Sequence, residues 1–160
     1  MHPNRLWAVT ALALALAPAA GARACEEADD EVKVSVVAIL ATSKDRKVDP
    51  ALMEVAKRIQ SRKEWKHLTG FTIAQATCDS VVLGREKKYR LVDDQCVRIT
   101  VDNAPSGGSK PYRLRVKAPK LGEVEYDCCC KKYLPLATGY QTKDGKQLFI
   151  GIMVKTCPEK

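Results

Sequence analysis

Thiols are the side chains best placed to do chemistry in this 160-residue sequence: Cys25, Cys78, Cys96, Cys128, Cys129, Cys130 and Cys157. Three of them are consecutive, and that spacing limits what they can do. Adjacent α-carbons stand about 3.8 Å apart, below the usual disulfide separation of about 4.4–6.8 Å. Cys128 and Cys130 would be about 6.6 Å apart in a strand, with parallel side chains that do not converge. A bridge inside the triplet is therefore disfavoured. Each triplet member then needs a partner elsewhere, and Cys78, Cys96 and Cys157 supply three. Cys25 is left over as a free, lipidated or intermolecular thiol.

Soft-metal binding is the competing chemistry, because thiolates hold copper(I) and zinc. The weak candidates are Cys128, Cys130 and Cys157. Consecutive strand residues face opposite sides, and the sequence has no C-x-x-C knuckle of the kind that marks zinc sites. Thiol redox chemistry is a further alternative, since Lys131 and Lys132 follow the triplet directly and cations lower a neighbouring thiol pKa.

Enzyme chemistry finds little support in the rest of the chain. His67 is the only histidine after residue 24, and it sits in a basic, polar connection. Asp93-Asp94 is a carboxylate pair, but between two expected strands it reads as a turn. Neither G-x-S-x-G, a phosphate-binding loop nor H-E-x-x-H occurs. The expectation is no catalytic residues, no cofactor and no enzyme, with a secreted enzyme the trailing alternative.

The compartment comes from the N-terminus. Arg5 precedes an apolar run from Leu6 to Ala17, too short for the roughly 18 residues of a membrane helix. Pro18 and then Ala22-Arg23-Ala24 follow, a small-x-small signal-peptidase pattern ahead of Cys25. Residues 1–24 thus read as a signal peptide, and the mature protein as periplasmic or extracellular with no transmembrane segment. Lipid anchoring at Cys25 is a minority alternative, because Arg23 spoils the match to a lipobox. An exported compartment is oxidising and permits disulfides.

Cleavage leaves 136 residues, enough for one core. It removes Arg5 and Arg23 and no acid, leaving 25 cations against 19 acids, a net charge of +6. Such a protein attracts anionic partners, and an anionic cell-surface polymer fits an exported chain where nucleic acid does not. Arg98, Arg113, Arg115 and Lys117 form the anionic-ligand surface suggested by strand alternation. The same charges would also keep exposed strands from aggregating edge to edge.

Positioning these groups falls to a β-rich scaffold. Residues 25–31 form an acidic leader expected to be disordered, and residues 32–157 a single β-rich domain. Residues 32–41, VKVSVVAILA, read as a central strand buried on both faces. Asp49-Pro50 reads as a helix N-cap followed by proline, with Leu52, Val55, Ala56 and Ile59 on one stripe of a helix over about 50–63. Further strands are expected at 71–78, 87–92, 97–102, 112–118, 122–130 and 148–154. A flexible loop over 103–110 and a hairpin turn at Asp144-Gly145 separate some of them. The fold class is α+β: a mainly antiparallel sheet or small β-sandwich with one helix packed on it. In a simple meander, Cys78 and Cys157 would approach the triplet, and Cys96 would lie at the opposite end.

With its signal, VKVSVVAILA, Asp49-Pro50, Leu68-Thr69-Gly70-Phe71 and the terminal strand LFIGIMV, the chain resembles a type of small, uncharacterised exported bacterial protein. The resemblance covers most of residues 32–154 and implies no activity. The cysteine triplet is not part of it. The resulting expectation is a non-catalytic, disulfide-stabilised exported structural or binding module of the cell envelope.

Overall fold

The computed structural model describes residues 30–105, 110–128 and 131–155. Residues 1–24, the leader up to residue 29, Cys129, Cys130 and Cys157 lie outside the described residues. Among the described residues, eight strands form two antiparallel sheets of four. The first has the order β2 (Gly70–Val82), β1 (Glu31–Thr42), β8 (Gln147–Val154), β7 (Leu134–Gln141). The second runs β3 (Glu86–Arg90), β4 (Cys96–Asn103), β5 (Tyr112–Ala118), β6 (Gly122–Cys128). The α+β sandwich is thus the observed class, and the meander is confined to the second sheet.

Alternation in β1 builds two cores at once. Val32, Val34, Val36 and Ala38 point between the sheets, against Val97, Ile99, Val101, Leu114 and Val116 of the second sheet. Val37, Ile39 and Ala41 point to the other face, which carries the helix. A strand buried on both faces reads as a near-continuous apolar run, which is how residues 34–41 appear in the sequence.

The helical segment divides into a single 3-10 turn at Pro50–Leu52, α1 (Met53–Gln60) and a second 3-10 turn at Lys63–Trp65. Val55, Ala56 and Ile59 of α1 bury against Phe71 and Phe149, and Trp65 packs edge-on against Phe149 with ring centroids 5.2 Å apart. Asp49 occupies the expected N-cap position, but its side chain makes no cap hydrogen bond. Instead Ile73 N–H donates to Asp49 Oδ2 at 2.6 Å.

Two strands differ from expectation. β2 runs to Val82, four residues past Cys78, although its middle is exposed. β7, which contains Pro135 and Gly139, is an additional edge strand that breaks register between Ala137 and Gln141. Proline is tolerated at an edge, where no ladder donor is needed.

Candidate functional site

Register settles where the described thiols stand. Cys78 lies opposite Ser35 on the helix-bearing face of the first sheet and is exposed. Cys96 lies opposite Arg90, on the outer face of the second sheet, and is half-buried. Cys128 lies opposite Tyr112 and points into the core between the sheets. Three of the expected disulfide residues therefore face three different regions.

The separation of Cys96 from Cys128 is the most informative of these placements. Cys128 pairs with Tyr112, and Tyr112 with Asn103, at the far end of β4 from Cys96. Seven residues at about 3.3 Å and two strand spacings of about 4.8 Å put these α-carbons about 25 Å apart. A disulfide needs α-carbons within about 7 Å. Cys96 accordingly does not reach Cys128. The physical reason is topological: β4 and β6 run parallel with β5 between them, so the start of one lies far from the end of the other.

Lys131 N–H donates to the carbonyl of Val154 at 2.9 Å, so the residue after the triplet sits beside the strand that precedes Cys157. Of the metal candidates, only Cys128 falls among the described residues; Cys130 and Cys157 lie outside them. Cys25 lies outside them as well.

The expected anionic-ligand surface is more nearly neutral than its sequence suggested. Lys88, Arg90, Arg98, Arg113, Arg115 and Lys117 share the outer face of the second sheet with Glu86, Asp102, Glu123, Glu125 and Asp127. Arg115 Nε donates to Asp102 at 2.9 Å, and Arg113 Nε to Asp127 at 3.0 Å. Lys117 bridges Glu86 at 3.3 Å and Glu123 at 3.2 Å, and Arg98 approaches Glu86 at 3.7 Å. These hydrogen-bonded acids raise the pKa of Arg113, Arg115 and Lys117. Opposite charges on neighbouring strands stabilise a sheet face, and here they match nearly one to one.

At one end of that face an open cleft of about 480 Å³ is lined by Asp94, Gln95, Cys96, Arg98, Lys117 and Glu123, among others. Asp93 and Asp94 form the turn expected of them, both with left-handed backbone, φ 51° and 57°. The Tyr140 hydroxyl donates to Asp93 Oδ2 at 2.9 Å, fixing this turn against β7. His67 is exposed, beside the Trp65 ring.

Lys88 and Arg90 of the second sheet's outer face make no ion pair with a described residue, and four further such cations gather elsewhere. Two adjoining cavities, of about 240 and 220 Å³, flank Tyr133 between α1, the end of β6 and the start of β7. Arg58, Lys132 and Tyr133 line both; Lys131 lines one and Lys110 the other. None of these four cations makes an ion pair with a described residue. Arg58 Nη1 donates to the Tyr133 carbonyl at 3.0 Å, and the Tyr133 hydroxyl meets Ser35 Oγ at 3.2 Å. The acids of the groove are Glu54 and Asp127, and Asp127 is already engaged by Arg113. Sequence reading passed over this cluster. Lys131-Lys132 was visible as a run, but its proximity to Arg58 arises from tertiary packing 75 residues apart in the chain.

No family model matches the chain, and no curated protein or solved structure is significantly similar to it.

Proposed function

We propose that this protein is a non-catalytic, exported structural or binding module of the cell envelope, stabilised by disulfides and drawn to anionic cell-surface polymer. The observation that carries the reading is the segregation of its side chains. The largest fully buried side chains among the described residues are all apolar: Phe71, Phe149, Ile39, Ile99, Leu114 and Leu148 lead them. No charged side chain is buried among the described residues, and charge on the second sheet is matched across strands at Arg113, Arg115 and Lys117. Such an arrangement presents surfaces to a partner. No helix among the described residues is long and apolar enough to cross a membrane.

Disulfide mapping of the native mature protein tests the reading. About one free thiol, with Cys157 bonded to a triplet member, would agree with it. Four or more free thiols would sink it in favour of the runner-up, a thiol protein acting on redox partners or soft metals. One observation favours that runner-up. Cys96 is a half-buried thiol that lines an open cleft.

A further inference from the structure

The geometry points to the groove around Tyr133 as the site where this module holds an acidic polysaccharide, with Arg58, Lys110, Lys131 and Lys132 as its cations. This rests on the binding-module reading and relocates the anionic surface from β4 and β5 to the helix side of the molecule. Charge complementarity carries the assignment. On the outer face of the second sheet, Arg98, Arg113, Arg115 and Lys117 each have a carboxylate partner. An arriving anion would have to displace those partners. Around the groove the four cations have none among the described residues, so an anion gains their attraction without breaking an ion pair.

Shape and anchoring favour a chain of sugar rings over a membrane. The two cavities share Arg58, Lys132 and the half-buried Tyr133 in their linings, offering an aromatic wall beside the cations. A flat lipid surface would not enter them. Stable membrane docking by a helix also needs a free apolar face, and that of α1 is already packed on the first sheet through Val55, Ala56 and Ile59. The groove wall is held from three sides: Lys131 N–H to Val154, Arg58 to the Tyr133 carbonyl, and Tyr133 to Ser35. Of the four cations, Arg58 is fixed through its guanidinium, so it loses less freedom on binding than a mobile surface side chain.

The test uses the mature chain with heparin as the acidic-polysaccharide probe, at about 0.15 M salt where distant charges are screened. Lys110→Glu/Lys132→Glu reverses two groove cations. Arg113→Glu/Arg115→Glu changes the net charge by the same amount on the sheet face. The groove variant should bind heparin about ten-fold more weakly, and the sheet variant should stay within about three-fold of the parent. Arg58→Gln should weaken binding too, and unchanged far-ultraviolet circular dichroism will show that each variant is folded. Equal losses in both double variants would reduce the effect to net charge and overturn the assignment. So would a loss confined to the sheet variant, no loss in either, or no retention of the parent protein. Binding to vesicles of phosphatidylglycerol and phosphatidylcholine that is as tight as heparin binding, and competes with it, would make lipid the occupant and equally overturn it. Failure here leaves the module reading to be judged separately by its thiol count.

Discussion

Tyr89 illustrates what a single residue can cost this fold. It sits on β3, 3% exposed, with its ring turned into the core between the sheets, and its hydroxyl finds no partner among the described residues. A buried hydroxyl without a hydrogen bond costs about 1–3 kcal/mol. Burial, reinforced by the charges of Asp79 and Cys78, pushes the phenol up from 10.0 to about 12. The sign of the resulting pH dependence follows. Below pH 10 both folded and unfolded chains keep the proton, and the phenol contributes nothing to pH dependence. Between pH 10 and about 12 the unfolded chain loses it first, so stability falls by up to about 2–3 kcal/mol. Tyr89→Phe should raise stability at neutral pH by about 1 kcal/mol and shrink the alkaline loss, as measured by urea unfolding at a series of pH values. Some loss will persist, because burial also raises Tyr112, and the bond to Asp93 raises Tyr140. Tyr89→Phe that is no more stable than the parent would show that the hydroxyl is satisfied. At this scale the sequence was a partial guide: a simple meander sets Cys96 at the end away from the triplet, and the register does separate it from Cys128, but the missing partner of Tyr89 cannot be read without pairing.

Among the elements, β1, β4, β5 and β8 were legible because each is enclosed by neighbours and shows the burial of one or both faces as a pattern. The partition into two sheets was not. Strand pairing depends on contacts distant in sequence, and a meander and a sandwich share the same alternation. β2 and β7 were misjudged for a different reason: both are edge strands, so their exposed positions do not register as a period. Asp49 follows the same logic. Its position before Pro50 marks a helix start, yet its carboxylate serves the adjacent strand edge, accepting from Ile73 N–H. Asp49 N–H donates to the Phe71 carbonyl at 2.9 Å, and Phe71 N–H to the Lys47 carbonyl at 2.8 Å. Further along β2, Lys87 Nζ donates to the Ser80 carbonyl at 3.0 Å. These contacts occupy both ends of an edge that would otherwise invite another strand. Asp49→Ala should therefore destabilise the domain by about 1 kcal/mol, a typical loss for one such bond. Hydrogen exchange decides which element is affected. Faster exchange of the Ile73 amide, with α1 amides unchanged, is the expected result; faster exchange confined to the first turn of α1 would restore the capping role.

At the scale of the whole molecule, the two cores are made by the same strands, and that predicts how the protein unfolds. β1 sends Val34 and Val36 into one core and Val37 and Ile39 into the other; β8 does likewise with Ile150 and Phe149. Neither core can open while its shared strands stay in register for the other. Trp65 packs on Phe149 in the helix core and is the only tryptophan after residue 24, so in a chain starting at residue 25 its fluorescence reports that core alone. Leu114→Ala empties the opposite core, where Leu114 is fully buried. Ile59→Ala empties the helix core itself. Each should cost about 2–5 kcal/mol. The decisive observation is coincidence. If the domain is one cooperative unit, Leu114→Ala will shift the Trp65 fluorescence transition and the far-ultraviolet circular dichroism transition to the same lower denaturant midpoint. A fluorescence transition that stays at the parent midpoint while the dichroism moves would mean that the helix and the first sheet hold together without the second sheet. The groove around Tyr133, bounded by α1 on one side and the end of β6 on the other, would then lose one wall while keeping the other.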